Sequence, residues 1–74
     1  MNVDENVKVE MLDLFAVGRF DTSDNIWVLV DYFNSEVKVK NSKNRCLKNL
    51  ERIGDDTKIE SFKFLPNENK WVII

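Results

Sequence analysis

The chain has 74 residues, of which 43% are hydrophobic and 32% are charged, and its formal net charge is −2. This length allows one domain with one core, and the hydrophobic fraction excludes a disordered acidic tail. With no histidine and a single cysteine, Cys46, the sequence excludes an internal disulfide, the usual zinc ligand sets and histidine-based catalysis. We therefore expect one domain over residues 1–74 that is not an enzyme and holds no metal or cofactor.

The first ten residues indicate a cytoplasmic protein, because they are acidic and contain no apolar run of the kind a signal peptide has. No stretch approaches the roughly 18 apolar residues of a membrane span, so no membrane contact is expected. Asparagine, lysine, aspartate and isoleucine are frequent, while Ala16 is the only alanine and glutamine is absent. This composition favours AT-rich codons, and hence a low-GC bacterium or a phage as the source.

Residues 7–20 fit two interpretations. Residues 7–11 alternate between apolar and polar side chains as a strand does. Val7, Met11 and Leu14 also fit one side of a helix that Asp4 would cap and Gly18 would end. Both alternatives remain open, and a loop is expected over residues 21–25 in either case.

Residues 26–33 and 36–40 are rich in β-branched and aromatic side chains, and Asn34-Ser35 between them suits a tight hairpin turn. The hairpin would have an apolar face and a mixed face. The apolar face would hold Ile26, Val28, Val30, Tyr32, Val37 and Val39. The mixed face would hold Trp27, Leu29, Asp31, Phe33, Glu36, Lys38 and Lys40. We therefore expect the first face to form the core, since a slip by one residue would bury charge.

The clearest helix is predicted over residues 43–53. Ser42 is the expected N-cap, the apolar residues that follow gather on one side, and Gly54 stands where a helix commonly ends. Cys46 lies on the apolar side, which is typical of a buried structural cysteine.

A second hairpin is predicted over residues 58–74, with a turn from Pro66 to Asn69. Its register opposes Phe64 to Trp71 on one face and Lys63 to Val72 on the other.

These elements predict an α+β fold, either an antiparallel sheet or an OB-like barrel of four to five strands. The order is β-β-β-α-β-β if residues 7–20 are a strand, and α-β-β-α-β-β if they are a helix. The acidic residues of the loops are interpreted as solvated turn residues, because neither loop has the ligand spacing of a Ca²⁺ site. They are Asp21, Asp24, Asp55 and Asp56.

The mixed face of the first hairpin is the candidate binding surface, because its three largest apolar side chains would not be left in water without a reason. Coverage by the N-terminal segment would make them core, whereas a protein contact or base stacking would make them functional. Six bases and two acids lie in residues 36–53, so a positive stripe is expected beside this face. The predicted partner-binding residues are Trp27, Leu29, Phe33, Lys38, Lys40, Arg45, Lys48 and Arg52.

The sequence therefore predicts a small accessory, regulatory or inhibitor protein that binds a protein partner stoichiometrically. The alternative is a single-stranded nucleic-acid-binding OB-like domain, although a chain that is acidic overall is atypical of that class. The apolar C-terminal strand, residues 70–74, also favours a homodimer through an edge strand.

Overall fold

The computed structural model describes residues 14–74, which form four strands and one helix. The elements are β1 Phe15–Asp21, β2 Ile26–Phe33, α1 Glu36–Ile53, β3 Ile59–Leu65 and β4 Lys70–Ile73. The strands form one antiparallel sheet in the order β2-β1-β3-β4. The α+β class is confirmed, in the form of an open sheet whose outer strands, within the described residues, are β2 and β4.

The predicted first hairpin is wrong, because residues 36–40 are the first turns of α1 and not a strand. Ser35 is the N-cap: its backbone is extended, and its Oγ accepts a hydrogen bond from the Lys38 N–H at 3.1 Å. Ser42, the predicted cap, lies inside the helix and is buried. The helix therefore begins seven residues earlier than the sequence indicated.

The alternation of Val37 and Val39 with charged residues suited a strand, but the two side chains differ in burial on the helix. Val39 is fully buried against the sheet, whereas Val37 is 69% exposed. Two residues two positions apart share a side of a strand but lie about 200° apart on a helix, so the burial of only one of them distinguishes the helix from the strand.

The helix ends as predicted at Gly54, whose φ of 75° is the left-handed conformation that glycine adopts without a steric penalty. Its N–H donates to the Glu51 carbonyl at 3.1 Å, and the Asp55 N–H donates to the Leu50 carbonyl at 2.9 Å. Two carbonyls of the last turn are thereby satisfied.

The second hairpin is confirmed together with its register. Phe64 pairs with Trp71, and Lys63 pairs with Val72. The four-residue turn is closed by the Glu68 N–H, which donates to the Leu65 carbonyl at 3.0 Å.

The segment with two interpretations is a strand over the part that the structure describes. Gly18 is in the middle of β1 and does not end a helix. Residues 7–13 lie outside the described residues, so the helix and strand predictions for them stay predictions. Residues 21–25 form the predicted turn, in which the Asn25 N–H donates to the Asp21 carbonyl at 2.7 Å.

The helix connects β2 to β3, which run parallel to each other on either side of β1. Such crossovers are almost always right-handed, and from this rule we infer that α1 lies over the face that carries Val17 and Ser61. Both of these residues are fully buried, they pair with each other across β1 and β3, and α1 buries Val39 and Ser42. We call this face the helix side of the sheet.

One ion pair fastens the helix to the sheet. Lys43 Nζ lies 2.9 Å from Glu60 Oε1, and both side chains are half-buried. Because these charges are only partly shielded from water, we assign to the pair a positioning role more than a large share of the stability.

The two valines give a direct test of the helix. Val39→Ala should lower the free energy of unfolding by about 2 kcal/mol, because it leaves a cavity in the core. Val37→Ala should leave it unchanged or raise it by roughly 0.5 kcal/mol, because alanine favours an exposed helix position. Urea denaturation measures both values. Equal losses in the two variants would contradict the helix and support the hairpin.

Candidate functional site: an aromatic sheet face

A β-bulge in β2 decides which side chains share a face. Val17 pairs with Asp31 and Gly18 pairs with Leu29, so Val30 is an extra residue without a partner in the register. The bulge reverses the alternation between its two sides. The prediction that Trp27, Leu29 and Phe33 share one face is therefore wrong.

Phe33 pairs with Phe15, which has the same parity as Val17, and so lies on the helix side. Trp27 pairs with Phe20 and Leu29 pairs with Gly18, which places both on the opposite side.

The side of the sheet opposite α1 collects six of the eight aromatic residues of the chain. We call this surface the aromatic face. Its large side chains are Phe20, Trp27, Leu29, Tyr32, Phe62, Phe64, Trp71 and Ile73. The only charged strand residue in register with them is Glu60, which pairs with Lys43. The face is therefore apolar almost throughout.

The rings contact one another in two groups, edge-on in three pairs and tilted in the pair of Phe64 and Trp71. Trp27 lies between Phe20 and Phe62, with ring centroids 5.2 and 5.3 Å away. Trp71 lies between Tyr32 and Phe64, at 5.9 and 5.2 Å. Each contact of this kind adds roughly 0.5–1.5 kcal/mol beyond the burial of area. The rings thus hold each other in place across all four strands.

Gly18 lies beneath the first group, where there is no space for a side chain. A Cβ at this position would lie 2.8 Å from Phe62 Cε1 and 3.0 Å from Leu29 Cδ2. The absence of a side chain lets the Phe62 ring approach the backbone of β1, and Phe62 is 5% exposed as a result.

The outer part of the aromatic face is open to solvent. Tyr32 on β2 is 52% exposed and Ile73 on β4 is 51% exposed. Within residues 14–74, α1 contacts this face at Glu60, which lies 2.9 Å from Lys43 at the end of β3 that β4 does not reach. The outer residues Tyr32 and Ile73 are left open. Large apolar side chains of this kind on a continuous surface are typical of a contact site.

The basic residues lie on α1, away from the aromatic face. Lys38, Arg45, Lys48 and Arg52 are exposed and follow one side of the helix at spacings of seven, three and four. Lys40 is half-buried and projects from another side of the helix. The predicted arrangement, with Lys38 and Lys40 bordering the aromatic residues on a strand, is therefore wrong.

The loop acids serve local turns. Asp21 Oδ1 accepts from the Ser23 N–H at 2.9 Å, and Asp55 Oδ1 accepts from the N–H and the hydroxyl of Thr57 at 2.9 and 2.7 Å. These two bonds, the hydroxyl first, hold the pKa of Asp55 below its usual value, since they favour the charged carboxylate. Both acids thus have the turn role that the sequence indicated.

A surface depression lies beside the end of β1 in the part of the chain that the structure describes. An open depression of about 290 Å³ is lined by Phe20, Thr22, Asp56, Thr57 and Lys58, with one carboxylate among them. No group of three potential metal ligands occurs among residues 14–74. None of the helices described is long and apolar enough to cross a membrane.

Comparisons with protein-family models, with curated proteins and with solved structures gave no match to this chain. The function is therefore inferred from the geometry of the aromatic face and from the positions of the charges.

Most of the aromatic face was missed at the level of sequence. Of its large side chains, only Trp27 and Leu29 were among the predicted binding residues. A partial signal existed, because the register of the second hairpin already placed Phe62, Phe64, Trp71 and Ile73 on one face. The missing information was that β1 pairs with β3 of this hairpin on one side and with β2 on the other.

Gly18→Ala tests the packing beneath the rings. The new methyl group would overlap the Phe62 ring, so the free energy of unfolding should fall by about 1–3 kcal/mol. The near-ultraviolet circular dichroism of the tryptophans should change as well. Gly54→Ala is the control: it strains a left-handed position, but no atom lies within 4 Å of its Cβ. It should reduce stability by about 1 kcal/mol and leave the aromatic spectrum unchanged. An unaltered spectrum in Gly18→Ala would contradict the packing.

Proposed function

We propose that this protein is a non-enzymatic binding module that captures a protein partner on its aromatic face. The observation that carries the proposal is the collection of six aromatic rings on a sheet face whose outer residues Tyr32 and Ile73 are about half exposed. A module of this kind acts stoichiometrically, as an accessory, regulatory or inhibitor protein. Its effect comes from masking or bridging its partner.

The chemistry of the face supports a protein partner. Aromatic side chains are enriched at the centres of protein interfaces, and charged side chains are depleted there. The aromatic face has both properties. Its inner rings are fixed by mutual contact, so binding would cost little ordering of side chains. The outer residues Tyr32 and Ile73 present the apolar area that a partner would cover.

The matching partner surface is an amphipathic segment, a helix or a strand, whose apolar side faces the rings. A strongly charged partner segment would find no complement among the strand residues, since Glu60 is already paired with Lys43. The exposed bases of α1 lie on the other side of the sheet. For an acidic partner they would raise the association rate without touching the apolar contact.

Single-stranded nucleic acid is the second candidate, and the row of aromatic rings is the observation that favours it. Bases stack on such rings, and a positive groove beside them attracts the phosphates. Here the exposed bases Lys38, Arg45, Lys48 and Arg52 lie on α1, behind the sheet, and Lys58 is the exposed base that lies beside Phe20 at the border of the aromatic face. Stacking and phosphate attraction are thereby largely separated, which makes a protein partner the better supported proposal.

The partner contact can be tested with two substitutions at exposed positions, where the fold should tolerate them. The full chain is used to isolate partners from cells of its source, and each purified candidate is titrated by calorimetry. Tyr32→Ser and Ile73→Ser should each weaken binding by roughly 1–2 kcal/mol, about 5- to 30-fold in Kd. Val37→Ser, at an exposed apolar residue on α1, should leave the affinity unchanged. Equal affinity in all three variants would remove the aromatic face from the contact.

The nucleic-acid alternative is tested by titrating labelled single-stranded oligonucleotides at two salt concentrations. Our proposal expects no binding even at low salt. Binding that weakens steeply with salt, and that Tyr32→Ser reduces, would support the alternative and contradict a protein partner.

A further inference from the structure

The chain enters the sheet at one end of the aromatic face. The Leu14 carbonyl accepts a hydrogen bond from the Phe64 N–H at 2.7 Å, so Leu14 is held beside β3. Leu14 precedes Ala16 by two residues, which places it on the side of the aromatic face, where it is half-buried. Leu14, the residue that follows residues 1–13, therefore lies next to the ring group of Tyr32, Phe64 and Trp71.

The sequence of residues 1–13 is suited to an apolar surface. Val3, Val7 and Met11 recur every four residues, and Leu14 follows after three more. This spacing is typical of an amphipathic helix with one apolar stripe. Val9 falls on the opposite side of such a helix, which also carries the acidic residues Glu5 and Asp13, whereas Asp4 and Glu10 border the apolar stripe.

The length also fits. Thirteen residues in helical form span about 20 Å, at 1.5 Å per residue. Four strands spaced by about 4.8 Å give a sheet roughly 14 Å wide between the outer strands. A segment joined at Leu14 is therefore long enough to cross the aromatic face from one edge to the other.

We propose that residues 1–13 occupy the aromatic face as an intramolecular ligand, with Val3, Val7 and Met11 against the rings. The segment then competes with the partner and must be displaced before the partner binds. The competition rests on the proposed function, whereas occupancy of the face can be measured without any partner. The affinity for a partner is reduced by the fraction of molecules in which the face is covered.

The two tryptophans report on occupancy, because Trp27 and Trp71 are the only ones in the chain and both lie on the aromatic face. In the full chain, substitution of Val7→Asp together with Met11→Asp should shift their emission to longer wavelength and increase quenching by acrylamide. Val9→Asp is the control, which adds one negative charge, against two in the double variant, on the other side of the segment. It should leave emission and quenching as in the unmodified protein.

Equal emission and quenching in the double variant and the unmodified protein would overturn the proposal. A spectrum that depends on protein concentration would overturn it too, because a second copy would then be covering the face. Far-ultraviolet circular dichroism checks that the double variant is folded.

A second measurement keeps the test decisive if the double variant unfolds. A spin label on Asn6→Cys, in the Cys46→Ser background, should broaden the indole N–H signals of Trp27 and Trp71. Broadening of the Arg45 and Lys48 amides on α1, with sharp indole signals, would overturn the proposal. A mixture of spin-labelled protein without isotope and isotope-labelled protein without the spin label gives the last check. Indole broadening in this mixture would also overturn the proposal, since that contact is between molecules.

The two proposals fail separately. Once a purified partner is in hand, the double variant should bind it more tightly than the unmodified chain does, and Val9→Asp should bind it equally. If the tryptophans show that residues 1–13 cover the face but no partner depends on Tyr32 and Ile73, the proposed function is wrong and the intramolecular contact stands. If a partner depends on Tyr32 and Ile73 but the tryptophans respond to none of the N-terminal substitutions, the proposed function stands and the intramolecular contact is wrong.

Discussion

The side chains at the centre of β1 have to be small on both faces of the sheet. The packing of α1 on one face and of the aromatic rings on the other depends on this constraint. Ala16 and Val17 are fully buried, and Gly18 lies beneath the Phe62 ring. Val17 faces α1 together with Ser61, so the helix can approach the sheet closely. Gly18 faces the other way and leaves room for the rings. A larger residue at either position would push one layer away from the sheet, because packed interiors have little spare volume.

Turns, the end of the helix and the register of a hairpin were predictable from sequence. Features that depend on contacts between distant elements were not. The turn after Pro66, the left-handed Gly54 and the register of the second hairpin follow from short-range rules. The start of α1 did not, since Ser35 and Ser42 are both good caps and Val37-Val39 fits a strand as well as a helix. The burial of Val39 against the sheet decides that residues 36–40 are helical and that Ser35 is the cap. This burial could not be predicted, because the sequence left the first strand of the sheet ambiguous.

The candidate site was predicted in fragments for a related reason. No glycine or proline lies in β2 at Val30, and the glycine at the bulge, Gly18, belongs to the partner strand β1. The alternation of β2 was therefore extended through the bulge, and Phe33 was assigned to the wrong face. The strand order places β1 between β2 and β3. The pairing of β1 with β3 depends on contacts between residues that are distant in sequence. Once this order is known, the aromatic residues of both halves form one surface. The bases of α1 then lie behind it, which separates ring stacking from phosphate attraction.

The bulge has a consequence for how the protein behaves at high concentration. β2 is an outer strand, and a regular outer strand offers a row of unpaired N–H and C=O groups on which other chains can grow. At Val30 that row is interrupted and the strand twists more strongly. The opposite edge, β4, has only four residues and begins with Lys70. An aromatic-rich sheet with such edges is poorly suited to template fibrils, so the protein can keep an apolar face without polymerising through its strands.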